Sequence, residues 1–139
     1  MTRTTFLTVA ACIAGAVGGF ALLAPGVLLA SKGVAPSSAT EIWVREVGVA
    51  LLALAVISFL VRRLDDSPGL RAFLIGNAVL QIGLFPIELL AYQRGVITKL
   101  SGIAPNTVLH AVLAVAFITY ASRIRAPRPA GAAQARPAA

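Results

Sequence analysis

The chain has 139 residues, 58% hydrophobic and only 12% charged, with mean hydropathy +0.88 and formal net charge +7. A soluble domain of this size carries roughly 25% charged residues spread over its surface. Here most charges sit between long apolar runs, which excludes a water-soluble globular domain, and the basic residues flank those runs without an aromatic-interleaved patch, which argues against a nucleic-acid partner and for the lipid bilayer as solvent.

Four segments are long and apolar enough to cross about 30 Å of hydrocarbon, which takes roughly 20 residues per helix. The first is predicted over residues 6–30 and carries no charge; Pro25-Gly26 should kink it. Val9-Ala10-Ala11-Cys12 matches a lipoprotein box, but it lies too near the N-terminus to leave an h-region of about 7–15 residues, so the segment reads as a retained helix. The second helix is expected over 39–61, opened by a Ser38–Glu41 capping-box pattern and carrying Arg45 and Glu46 near its start. Asp65-Asp66-Ser67-Pro68-Gly69 is a tight turn in which Ser67 caps and Pro68 starts a third helix, 68–92. A loop with Gly95, Gly102 and Pro105 leads to the fourth, 106–122, capped near Asn106. From Ala126 the chain is an Ala/Pro/Arg/Gly tail, expected to be disordered. The expected fold class is an all-α membrane protein, a four-transmembrane-helix bundle.

Arg3, Arg62, Arg63, Arg71, Arg123, Arg125, Arg128 and Arg136 lie on one side of these spans, and Lys32, Arg45, Arg94 and Lys99 on or near the other. The positive-inside rule then places both termini in the cytoplasm.

Slid against itself by 61 residues, the sequence matches without a gap. Pro25 to Ala30 lies over Pro86 to Ala91, and Val47, Ala50, Leu52, Ala53, Ala55, Ile57 and Arg62 over Val108, Ala111, Leu113, Ala114, Ala116, Ile118 and Arg123. This reads as a tandem duplication of a two-helix hairpin, a parallel repeat about the membrane normal. Ala11, Gly15 and Gly19 on the first helix, and Gly76 and Gly83 on the third, are small-residue faces. They suit close packing inside the bundle, or alternatively against a second copy or another membrane subunit.

Charged groups inside spans usually face the bundle or water. Arg45, Glu46, Glu88 and His110 share one shallow level near the end of the bundle away from the termini, and Asn77, Gln81, Glu88 and Tyr92 fall within about 60° on the third helix. The candidate site is therefore a polar cluster of Arg45, Glu46, Asn77, Gln81, Glu88 and His110. The competing reading is structural: Arg45 pairs with Glu41, Glu88 with Arg45 or Arg94, and the amides and His110 act as interhelical glue. One cysteine and one histidine leave no metal-ligand set, and no phosphate loop, dinucleotide fingerprint, paired-histidine helix or nucleophile elbow occurs. No cofactor or metal is expected, and a membrane-embedded enzyme ranks below a binding protein and below a small transporter or channel subunit using Glu88 and His110.

A first helix ending in Pro25 followed by Leu28-Leu29, a second opening Arg45-x-x-Gly48, and a fourth containing Leu109-His110-Ala111 resemble the small bacterial four-helix membrane families grouped near DoxX. The resemblance covers about residues 6–123. Some of those relatives are associated with membrane oxidoreductase complexes, so the resemblance implies an accessory role, and its bacterial members imply a bacterial inner membrane. The expected function is a non-catalytic subunit that binds a partner protein or an apolar ligand such as a lipid or quinone.

The charge count predicts that cytoplasmic reporters fused after Arg63 and Ser122 are active and one fused after Ser37 is not. An active periplasmic reporter after Arg63 reverses the orientation.

Overall fold

A computed structural model describes residues 1–125; the tail from Ala126 lies outside the described residues. The described chain is all-helical: α1 Arg3–Leu23, α2 Pro25–Ser31, α3 Ser38–Val61, α4 Pro68–Gln93 and α5 Leu100–Arg123. The four long helices are each long and apolar enough to cross a membrane. The fold is a four-span membrane bundle with the short α2 at the end away from the termini, hereafter the far end. The other is the termini end.

Local chemistry sets the helix limits. Ala24 leaves the helical region (φ −136°, ψ 53°) immediately before Pro25, so the expected kink is a complete break. The proline ring disfavours a helical residue before it, and Pro25 then serves as the first residue of α2. The matching Pro86 lies inside an unbroken α4. The capping box of α3 is one residue earlier than expected. Ser37 and Thr40 exchange backbone and side-chain bonds of 3.2 and 2.9 Å, and Glu41 is simply an acid in the first turn. Ser67 and Pro68 start α4 as read, with Ser67 Oγ accepting from the Leu70 N–H at 3.2 Å. α5 begins at Leu100, six residues before the expected cap, and passes through Pro105. Its first turn is held by tertiary contacts at the far end, so Asn106 is not needed as a cap.

The helices form two hairpins. α1 packs along α3, and α4 along α5. At the α1–α3 crossing a Cβ on Gly48 would lie 2.8 Å from Gly18 O and from Leu22 N, so only glycine permits this approach. The small-residue face of α1 is thus Ala11, Gly15 and Gly18; Gly19, Gly76 and Gly83 meet nothing within 4 Å.

Two clamps join the hairpins. At the termini end, Phe6, Leu7 and Ala10 of α1 pack against Leu70, Leu74 and Ala78 of α4 and Phe117 and Ala121 of α5. Phe6 meets Phe117 edge-on at 4.8 Å and stacks on Tyr120 at 4.9 Å. These contacts leave Phe6 buried. Polar straps close the same end. Arg3 pairs with Asp66, Thr4 Oγ1 donates to Arg62 O, Tyr120 Oη donates to Met1 O, and the Arg125 N–H donates to Asp66.

At the far end the clamp is mostly backbone. The Lys32 carbonyl accepts from the Thr98 and Lys99 N–H groups at 3.2 and 3.3 Å, Thr98 Oγ1 donates to Gly33 O at 3.0 Å, and Lys99 Nζ donates to Ala30 O at 2.9 Å. A Cβ on Gly102 would lie 2.6 Å from Lys32 Cα. Both outward arms stop with the same glycine turn. Gly33 (φ 74°) and Gly95 (φ 69°) follow the helix ends, and the next N–H, of Val34 and Val96, reaches back to Leu29 O and Ala91 O.

Two stability predictions follow from these contacts. Gly48→Ala forces backbone apart at the crossing and costs about 1–3 kcal/mol, whereas Gly76→Ala, facing open space, leaves the thermal midpoint unchanged or raises it. Thermal unfolding in detergent separates them. The hydrogen bond from Arg3, then that from the Arg125 N–H, holds the Asp66 carboxyl below its ordinary value of 3.8. A depressed acid stabilises the fold above its unfolded pKa and ceases to as pH falls through its folded pKa. Asp66→Asn should lower the midpoint slightly at neutral pH, and the gap to the native chain should close as pH falls below 3.8.

Candidate functional site: a cavity between the hairpins

The clamps hold the hairpins together at their ends and leave a cavity of about 380 Å³ between them. Its walls are apolar: Val47, Leu51 and Leu54 of α3, Leu80 and Leu84 of α4, and Leu109 and Leu113 of α5. Phe117, Ser58 and Asn77 lie toward the termini end, and Trp43 lines the wall toward the far end. From Glu88 to Asn77 the α4 face runs about 16 Å at about 1.5 Å per residue.

The outward faces of the helices are apolar, with Val49, Val56, Val79, Ile82, Val108 and Val112 all exposed, whereas Asn77, Gln81, Glu88, Asn106 and His110 turn inward. This inverted polarity is what a bilayer solvent selects.

The polar groups gather at the far end of the cavity. Glu88 Oε1 accepts from Lys32 Nζ at 3.0 Å and from Asn106 Nδ2 at 2.6 Å, and Lys32 Nζ also donates to Gly102 O at 3.2 Å. Both charged side chains are largely buried, 20% exposed for Lys32 and 14% for Glu88. His110 Nδ1 lies 2.5 Å from Gln81 Oε1, which places the ring proton on Nδ1 and leaves Nε2 facing Glu88 Oε2 at 3.9 Å. Glu88 Oε2 is buried and has no hydrogen-bond partner among the described residues. Deeper in, Asn77 Nδ2 donates to Phe73 O one helical turn back at 3.0 Å.

Of the residues singled out in the sequence, Asn77, Gln81, Glu88 and His110 meet on the cavity wall. Arg45 and Glu46 do not. Arg45 is exposed and pairs with Glu41 at 3.3 Å, and Glu46 is exposed. The cause is rotational. The cavity face of α3 is Val44, Val47, Leu51, Leu54 and Ser58, and at 100° per residue Arg45 and Glu46 turn about 100° and 200° away from Val44. Tyr92 is likewise exposed. The counter-charge to Glu88 is Lys32, neither Arg45 nor Arg94.

Lys32 and Asn106 were missed as site residues. Lys32 reads as a loop cation, and Asn106 as a cap. The available signal was that an acid inside a span needs a partner, and that Lys32 follows directly on a helix ending at the same depth. No group of three or more His, Cys, Asp and Glu side chains able to hold a metal occurs among the described residues. Compared with protein-family models, characterised proteins and solved structures, the chain matches none.

Removing one member of a buried pair strands the other. Lys32→Ala should cost roughly 2–4 kcal/mol, and Glu88→Gln in the same chain should recover much of it. Arg45→Ala should stay within about 0.5 kcal/mol. A double-mutant cycle on thermal unfolding measures this, and additive Lys32 and Glu88 effects refute the coupling.

Proposed function

We propose that the chain is a non-catalytic accessory protein of a bacterial inner membrane, with cytoplasmic termini, that binds an apolar small molecule such as a lipid or quinone between its hairpins. The cavity carries this reading. Its volume is within the roughly 300–1,000 Å³ of small-molecule sites. Its walls are mostly leucine, valine and alanine, and its polar groups, Ser58 apart, are confined to the far end and the α4 stripe. A molecule with an apolar body and a polar head matches that distribution, and the bilayer supplies such molecules. The resemblance to the families near DoxX agrees with an accessory role beside a larger membrane complex. The uncovered Gly76 and Gly83 on α4 suit a partner helix or a second copy.

We further propose that the hairpins arose by duplication. The 61-residue offset supports this, and both hairpins carry a similar glycine turn, at Gly33 and Gly95, set one residue out of that register. The acid and the histidine then arose in the second half only, since Glu88 and His110 lie over Val27 and Val49 in that register.

A second reading is a small transporter, favoured by the ionisable Lys32, Glu88 and His110 on the cavity wall. Proteoliposome flux that disappears in Glu88→Gln would support it.

Ligand binding is tested by mass spectrometry of organic extracts from protein purified in native lipid. One apolar species should be enriched over the surrounding membrane, and Leu84→Trp, which fills the cavity, should remove it. An extract identical to bulk lipid in both proteins counts against the reading.

A further inference from the structure

The two oxygens of Glu88 are unequal. Oε1 already accepts from Lys32 Nζ and Asn106 Nδ2, while Oε2 is buried and accepts from no protein donor among the described residues. A buried carboxylate oxygen without a donor is costly, and one added hydrogen bond to a charged acceptor is worth more than an ordinary one. Across the gap lies His110 Nε2 at 3.9 Å, too far to bond directly. The ring cannot swing in while Nδ1 is tied to Gln81 Oε1. The result is a fixed gap, at the polar end of an apolar cavity, flanked by an oxygen that needs a proton donor.

Resting on the ligand-binding reading above, we infer that the bound molecule carries a neutral hydroxyl head, an alcohol or a phenol, which donates to Glu88 Oε2 and lies against His110 Nε2, with its apolar body running along Leu84 and Leu80 toward Phe117. A hydroxyl fits either state of the ring. It donates to Oε2 in both, and offers a lone pair to Nε2 when that nitrogen carries a proton. The alternative heads fit less well. An anionic head would meet the free face of a carboxylate, while Lys32 is already engaged by Glu88 and Gly102 O. A cationic head would add a second positive charge beside Lys32 in a cavity walled by hydrocarbon. An ether or ester head supplies no proton and leaves Oε2 unsatisfied.

Trp43 is the chain's one tryptophan and lines the cavity, so its fluorescence reports occupancy. The purified full chain in detergent is titrated with decanol, decyl methyl ether, decanoate and decylamine, each at equal mole fraction in the micelle. Decanol should bind about tenfold or more tighter than the ether, as expected for a hydrogen bond to a charged acceptor, and tighter than both ions. Glu88→Gln should shrink that ratio toward one, and Arg45→Ala should leave it intact. Should Glu88→Gln fail to fold, the head series on the native chain decides by itself. Equal binding of alcohol and ether overturns the hydroxyl inference, means that water fills the gap, and leaves the apolar-ligand reading standing. Tightest binding by decanoate or decylamine also overturns it, in favour of an anion or cation site. No response of Trp43 to any of the four overturns the ligand-binding reading itself.

Discussion

Lys32 joins the hairpins twice over. Its carbonyl receives two N–H groups from the start of the α5 segment, and its ammonium group spans Glu88 of α4 and the Gly102 carbonyl of α5. The rest of the architecture depends on this junction. It fixes the far-end spacing of the hairpins at backbone contact, as the bare approach of Gly102 to Lys32 requires. It also neutralises the acid that α4 carries into the apolar layer. At the other end the spacing is set by aromatic rings, Phe6 between Phe117 and Tyr120. Between two ends fixed so differently, the leucines of α3, α4 and α5 do not reach across, and the cavity is the space left over.

The same arrangement gives the cavity its chemistry. In a bilayer the expensive groups are the polar ones, and the bundle interior is where they find partners. Lys32, Gln81, Asn106 and His110 converge on or near Glu88, and three of the four contacts are direct hydrogen bonds or ion pairs among side chains of different helices. Burial of this cluster has a structural use, because it ties α2, α4 and α5 together. It has a chemical residue as well, because the partners satisfy one oxygen of Glu88 and not the other.

The parts of this design legible in the sequence are those governed by local rules. Span lengths follow from hydropathy, and the turn before α4 follows from Ser67 and Pro68. The inward stripe of Asn77, Gln81 and Glu88 follows from helical periodicity. Depth along each span was readable too, which is why Arg45 was grouped with Glu88 and His110. Rotation about the helix axis was not, because it depends on which face of α3 packs against α1, and that is decided by Gly18 and Gly48. The start of α5 was misread for a similar reason. The helix starts at Leu100 and runs on through Pro105 because Lys32, Gly33 and Ala30 hold its start from another hairpin. Releasing Asn106 from a cap is what allows it to reach Glu88.

The placement of the ion pair also bears on how the chain is made. Lys32 belongs to the first hairpin and Glu88 to the second, so during synthesis the cation is in place before the acid emerges from the ribosome. A nascent α4 entering the membrane beside a finished first hairpin meets its counter-charge on arrival. An α4–α5 hairpin produced alone would have to deliver an uncompensated carboxylate into lipid, so the first half of the chain serves as an insertion aid for the second.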